Sequence, residues 1–138
     1  MKSRRPIMIV EDDKIDVMTI KRALKEIKVS NKIIHRENGE DALEYLTDSN
    51  NEMPCFILLD LNMPRMNGIE FLEKRKDIDS LKIIPVVVLT TSKEEKDRLS
   101  SFQFGIAGYM IKPVDYLQFI NVIRTIDLYW TLSELAGN

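Results

Sequence analysis

Four apolar residues, Phe56-Ile57-Leu58-Leu59, run directly into Asp60 and then into Leu61-Asn62-Met63-Pro64, and no other stretch restricts the fold as much. The run is bounded by Asn50-Asn51-Glu52-Met53-Pro54 before it and by Pro64 to Gly68 after it, so it reads as a strand buried on both faces. Asp60 then stands at the C-terminal end of that strand, the end of an open α/β sheet where ligands and chemistry collect. An Asp after one apolar run is also a common turn residue. The rest of the chain decides between these readings.

The same design recurs along the chain. Ile7-Met8-Ile9-Val10 is a short apolar strand that stops at Glu11-Asp12-Asp13, and Val17, Ile20, Ala23, Leu24 and Ile27 follow at helical spacing. Asp13 suits the N-cap of that helix, with Asp16 in its opening turn. A more polar strand is expected over 32–37, then a turn at Asn38-Gly39 and a helix carrying Ala42, Leu43 and Leu46. After the central strand come a helix from Ile69 to Asp77 with Leu72 inward and a buried strand over 83–89, with Pro85 near its start, that closes on Thr90-Thr91-Ser92. A charged helix from Lys93 has Leu99 and Phe102 as its apolar side, a fifth strand covers 107–111 up to Lys112-Pro113, and a last helix begins near Val114. Strand and helix alternation without linker or repeat predicts an α/β fold: a doubly wound five-stranded parallel sheet with helices on both faces, of flavodoxin-like type. In that fold Glu11, Asp12, Asp60, Thr90 and Lys112 share one rim.

Composition removes several classes of function. A net charge of -2 over 138 residues offers no basic field for a phosphate backbone, so nucleic acid is not an expected partner. The apolar run after the basic N-terminus stops at Val10, too short for a signal peptide or membrane span, and the lone Cys55 fits a buried hydrophobe in a reducing compartment. A cytoplasmic protein with no membrane partner is expected.

Crowded carboxylates repel one another, and a hard divalent cation such as Mg²⁺ relieves that by taking oxygen ligands, keeping coordination positions for phosphate oxygens. The rim is therefore suited to a phosphoryl group. Asp60 is the candidate nucleophile, forming an acyl phosphate; Thr90 can hydrogen-bond one phosphoryl oxygen and Lys112 can pair with another. His35 reads as a surface residue of a polar strand, so a donor histidine belongs to another protein.

Ile9-Val10-Glu11-Asp12, Leu59-Asp60-Leu61-Asn62-Met63-Pro64 with Met66-Asn67-Gly68, Thr90, and Tyr109-Met110-Ile111-Lys112-Pro113 occur in the order and spacing of a known family. The chain resembles the response-regulator receiver domains of two-component signalling, more narrowly the stand-alone receivers that partner bacterial phytochrome-type sensor kinases. The resemblance implies a receiver over residues 5–128 and a C-terminal extension over 129–138. It implies Asp60 as phosphoacceptor, Asp12 and Asp60 as direct Mg²⁺ ligands, Glu11 acting through water, and the Asn62 backbone carbonyl as a further ligand. It also implies Thr90 and Tyr109 as the switch pair, although from the residues alone Tyr109 reads rather as an edge-strand tyrosine half buried against the last two helices. Asn62 and Ser92 would flank the path of the hydrolytic water. One departure stands out: Thr91 follows Thr90 where most receivers carry Ala or Gly, and its branched side chain would narrow access to the acyl phosphate.

The expected function is that of a single-domain response regulator, a phosphoacceptor rather than an enzyme. It would take a phosphoryl group from a sensor histidine kinase and signal by binding an unidentified downstream protein, or pass the group on to a histidine phosphotransfer protein as a phosphorelay shuttle. A flavodoxin-like FMN carrier is disfavoured because Glu11-Asp12-Asp13 would repel the flavin phosphate. An aspartyl phosphatase is disfavoured because Asn62 stands where an acid/base Asp is needed. In the last helix Leu117, Ile120 and Ile123 can cover the sheet, leaving Phe119, Val122, Ile126, Tyr129 and Trp130 as a second stripe. That stripe either forms a homodimer interface or is covered by the chain after Leu128.

Overall fold

The computed structural model describes residues 4–112, 115 and 117–125. Its elements are β1 (Ile7–Val10), α1 (Lys14–Glu26), β2 (Ile33–Arg36), α2 (Gly39–Thr47), β3 (Phe56–Leu59), α3 (Gly68–Arg75), a single turn α4 (Asp79–Lys82), β4 (Val86–Thr90), α5 (Glu95–Gln103) and β5 (Gly108–Ile111). A last helix, α6, covers 117–125. The strands form one sheet in the order β2-β1-β3-β4-β5 with every neighbouring pair parallel. The expected five-stranded, doubly wound architecture is therefore the one found.

Apolar runs without polar alternation make sense because β1, β3 and β4 are buried along their whole lengths. Successive side chains point to opposite faces. Met8, Val10, Ile57 and Leu59 meet Ala42 and Leu46 of α2 and Phe71 and Leu72 of α3. Ile7, Ile9, Phe56 and Leu58 meet Val17, Ile20 and Leu24 of α1 together with Phe119 and Ile123 of α6. Burying a ring such as Phe56 or Phe71 stabilises the fold by about 2 kcal/mol.

The differences from the sequence reading in elements and their packing begin after α3. β4 begins at Val86 rather than residue 83, because Asp79 to Lys82 form α4, a turn too short to show periodicity. Arg75 is buried and donates to the carbonyls of Lys82 (3.1 Å), Ile84 (2.7 Å) and Phe104 (3.2 Å), which ties the ends of α3, α4 and α5 together. On α5 the expected apolar side faces outward: Leu99 is 52% and Phe102 48% exposed, whereas the small Ser101 is buried. On α6 two assignments exchange places, since Leu117 is 70% exposed and Phe119 is buried with Ile123. Phe119, Val122 and Ile123 stand at i, i+3 and i+4, the spacing of one helical face, and this face meets the sheet. Val114, Ile126, Tyr129 and Trp130, and the boundary at 128/129, lie outside the described residues. Among the described residues no helix is long and apolar enough to cross a membrane.

Candidate functional site

Parallel pairing in register brings the strand ends to one rim. The Asp60 amide donates to the Val10 carbonyl (3.0 Å), the Glu11 amide to that of Arg36 (3.0 Å), and the Lys112 amide to that of Thr90 (2.8 Å). The residue that leaves each of these strands is therefore the one presented at the site. Asp13 caps α1, accepting from the amides of Ile15 (2.9 Å) and Asp16 (3.1 Å), as its position before the helix predicts. That cap turns the chain away and leaves Glu11 and Asp12 at the rim.

The loop after Asp60 closes tightly beneath it. The Gly68 amide donates to the Leu61 carbonyl (3.0 Å), and a Cβ on Gly68 would stand 2.5 Å from the Asp60 carbonyl oxygen and 2.7 Å from the Leu61 Cα. Only a residue without a side chain permits this approach. Asn67 and Glu70 complete a capping box that starts α3 at the same point, with bonds of 2.9 and 3.1 Å. Arg65 takes the left-handed conformation at φ 64° and reaches Glu40 at 3.1 Å, an exposed pair that adds little energy.

One carboxylate oxygen from each of Glu11, Asp12 and Asp60 lies within 4.8 Å of the others. Glu11 is 2% and Asp60 7% exposed, whereas Asp12 is open to solvent. The Lys112 ammonium contacts Glu11 Oε1, lies 2.8 Å from Asp16 Oδ2 and stops 3.8 Å from Asp60 Oδ2. Burial pushes the Glu11 carboxyl up to about 7; the hydrogen bond from Lys112 opposes that and the neighbouring Asp60 adds to it. For Lys112, burial acts to lower the pKa, but the bonds to Asp16 and Glu11 outweigh it and hold the ammonium protonated above its ordinary range. Carboxylates thus outnumber the cation facing them, and every donor is a hard oxygen. This set suits a small divalent cation that takes carboxylates and keeps other positions for water or phosphate oxygens.

Thr90 is fully buried, and its Oγ1 accepts from the Ser92 amide (3.2 Å) and, at a long 3.5 Å, from the Asn62 amide group. The same Asn62 group reaches Thr91 Oγ1 at 3.5 Å, which places the branched residue at the mouth of the site. Ser92 stands one step further out: its hydroxyl donates to Asp97 Oδ2 (2.6 Å) and its carbonyl accepts from the half-buried Tyr109 hydroxyl (3.0 Å). Glu11, Asp12, Asp60, Asn62, Thr90 and Lys112 are thereby brought together, with Ser92 and Tyr109 linked to them through Thr90. Two participants were not anticipated. Asp16 was read only as a first-turn acid. His35 was read as a surface residue but is half-buried, with Nε2 2.7 Å from the Glu11 carbonyl oxygen. Position four residues after Asp12, on the first turn of α1, was the available signal for Asp16; nothing in the local pattern marked His35.

A family model described as response regulator receiver domain matches residues 7–124. The response regulator Rcp1 of Synechocystis sp. is 34% identical over 128 residues, covering 90% of this chain and 87% of that protein. The crystal structure of its Mn²⁺-bound form superposes with a TM-score of 0.78 at 33% identity, covering 91% of this chain and 94% of the other. The phosphorylated cyanobacterial phytochrome response regulator RcpA gives 0.79 at 33% identity over 99% of this chain and 97% of its own. The bacteriophytochrome response regulator RtBRR gives 0.79 at 38% identity over 90% of this chain and 78% of its own.

Proposed function

The chain belongs to the response regulator receiver domain family, and from that membership we propose that it accepts a phosphoryl group on Asp60 from a sensor histidine kinase. The observation that carries this reading is the position of Asp60: a buried carboxylate beside Glu11 and Asp12, with the Lys112 ammonium 3.8 Å away and the Thr90 hydroxyl linked to it through Asn62. An Asp60 oxygen attacks the phosphorus of a phosphohistidine, an O–P bond forms as the P–N bond breaks, and the imidazole leaves. Lys112 and the Thr90 hydroxyl then meet the new dianion. Mg²⁺ held by Asp12, Asp60 and the Asn62 carbonyl, with Glu11 behind a water, would supply the remaining positive charge, in keeping with the Mn²⁺-bound form of Rcp1. The protein acts as a phosphoacceptor rather than a turnover enzyme. RcpA and RtBRR, both phytochrome response regulators, support a kinase of phytochrome type as the partner. Residues 5–128 are assigned to the receiver and 129–138 to an extension.

Output follows from the bonds around Thr90. If Thr90 moves toward the phosphoryl group, the Ser92 amide loses its acceptor, and Ser92 carries both the Tyr109 hydroxyl and the Asp97 side chain of α5. A ligand shifts an equilibrium only by its differential contact with the states, and Thr90 supplies that difference. Downstream binding, self-association through the C-terminal helix included, would read this shift, while Asn62 and Ser92 tune the acyl phosphate lifetime. Thr90→Ala is expected to accept the phosphoryl group and to lose the phosphorylation-dependent changes in amide exchange around Tyr109 and in sedimentation at micromolar protein. Identical responses in wild type and Thr90→Ala would remove Thr90 from the relay.

A further inference from the structure

We infer that Asp16 is a positioning residue of this site: it holds the Lys112 ammonium within reach of a phosphoryl oxygen on Asp60 while keeping it off Asp60 itself. The inference rests on the reading that Asp60 is the phosphoacceptor. The Lys112 side chain is only 13% exposed, and its Nζ lies 2.8 Å from Asp16 Oδ2, against 3.8 Å from Asp60 Oδ2. An ammonium has three N–H donors. Glu11 and Asp16 each accept one, and the remaining donor is too far from Asp60 for a hydrogen bond, whose length is about 3 Å. An oxygen carried on phosphorus at Asp60 projects past the carboxylate and closes that gap, so Lys112 can meet the product without leaving Asp16.

Lysine could not hold this position by itself. Its stem is flexible and its head is a point charge that moves to the nearest carboxylates. Without Asp16 the carboxylates left in contact range among the described residues are Glu11 and Asp60, and an ammonium settled on Asp60 would engage the lone pair that must attack phosphorus. Asp16 is itself well placed to resist this. It sits on the first turn of α1, where its amide is bound by the Asp13 cap at 3.1 Å, so its position follows from the helix start rather than from a loop. A first-turn acid serving only the helix dipole would do equally well pointing to solvent. Asp16 instead reaches across to the residue that follows β5.

The test combines Asp16→Ala and Asp16→Asn, each in the wild-type and Lys112→Ala backgrounds. In metal-free protein the ¹H–¹⁵N signal of the Lys112 ammonium should persist in wild type and Asp16→Asn, whose carbonyl oxygen still accepts the bond, and shift or exchange away in Asp16→Ala. With a small phosphodonor and saturating Mg²⁺, Asp16→Ala should label Asp60 more slowly by about tenfold or more, since displacing a reacting group by an ångström can cost about a hundredfold. Asp16→Asn should recover most of the rate, and Asp16→Ala should cost nothing further once Lys112 is alanine. An unchanged ammonium signal in Asp16→Ala overturns the inference, as does an equal loss of rate in both backgrounds. If wild-type protein is not labelled at Asp60, the receiver reading fails instead, and the metal-free signal still reports whether Asp16 holds Lys112.

Discussion

Gly68→Ala is expected to destabilise the protein by about 3 kcal/mol, the upper part of the range for forcing an extra carbon into a packed position. The added Cβ would stand 2.5 Å from the Asp60 carbonyl oxygen, 2.7 Å from the Leu61 Cα and 2.8 Å from a Leu61 side-chain carbon. Two of these neighbours are backbone, so relief requires a shift of α3 or of the loop that carries Asp60. The capping box of Asn67 and Glu70 and the buried Phe71 and Leu72 hold α3 in place. The loop should therefore yield as well, and phosphoryl acceptance should fall with stability. Gly105 provides the contrast. Its φ of +82° suits glycine, but nothing lies within 4 Å of its would-be Cβ. Gly105→Ala should then cost only the conformational strain of about 1 kcal/mol. Urea midpoints with an unchanged slope measure both variants. Equal, small losses would mean that close approach at Gly68 is not what shapes the site.

The second large effect is a dependence of stability on pH that divalent metal reverses. Burial raises Glu11 in the folded state to about 7 from an ordinary 4.5, so the folded protein keeps a proton that the unfolded chain has released. The sign follows directly: this stabilisation is fully present below about 4.5 and is lost as pH rises through about 7. The difference, 7 less 4.5, corresponds to about 3 kcal/mol at most, at 1.36 kcal/mol per pKa unit. Metal-free protein should therefore become less stable between about pH 5 and pH 8 through this group. Mg²⁺ should contribute little at the acid end and most of its stabilisation at the alkaline end, where the carboxylates are charged. Glu11→Gln, which cannot ionise, should flatten the metal-free profile. Chemical unfolding with chelator and with Mg²⁺ at both pH values is the measurement. A slope unchanged in Glu11→Gln would place the pH dependence elsewhere.

Much of this site could be read from residue order because it is made where strands end. Each apolar run terminates in a chemically distinct residue, Glu11, Asp60, Thr90 or Lys112, and parallel pairing in register turns four sequence positions into one rim. Fold class and the acidic pocket follow from the same pattern. Contacts between layers were less accessible. Asp16 meets Lys112 across 96 positions, and His35 meets a backbone carbonyl, which carries no sequence signature. The faces of α5 and α6 were misjudged because the residues that dock are not the ones that apolar spacing picks out. On these helices a small residue such as Ser101 can dock while Leu99 and Leu117 stay exposed, and apolar periodicity no longer marks the inward face. The turn α4 was missed because its start has no side-chain cap and its length is under two turns.

Magnesium-dependent phosphorylation of the proposed acceptor, Asp60, is tested most directly by intact-mass analysis after incubation with a small phosphodonor. Wild-type protein with Mg²⁺ should gain one phosphoryl group that is labile to base and maps to Asp60, chelation should prevent the gain, and Asp60→Asn should show none. A phosphoryl group acquired equally by Asp60→Asn, or acquired by wild type at an unchanged rate in chelator, would mean that Asp60 is not a magnesium-dependent phosphoacceptor.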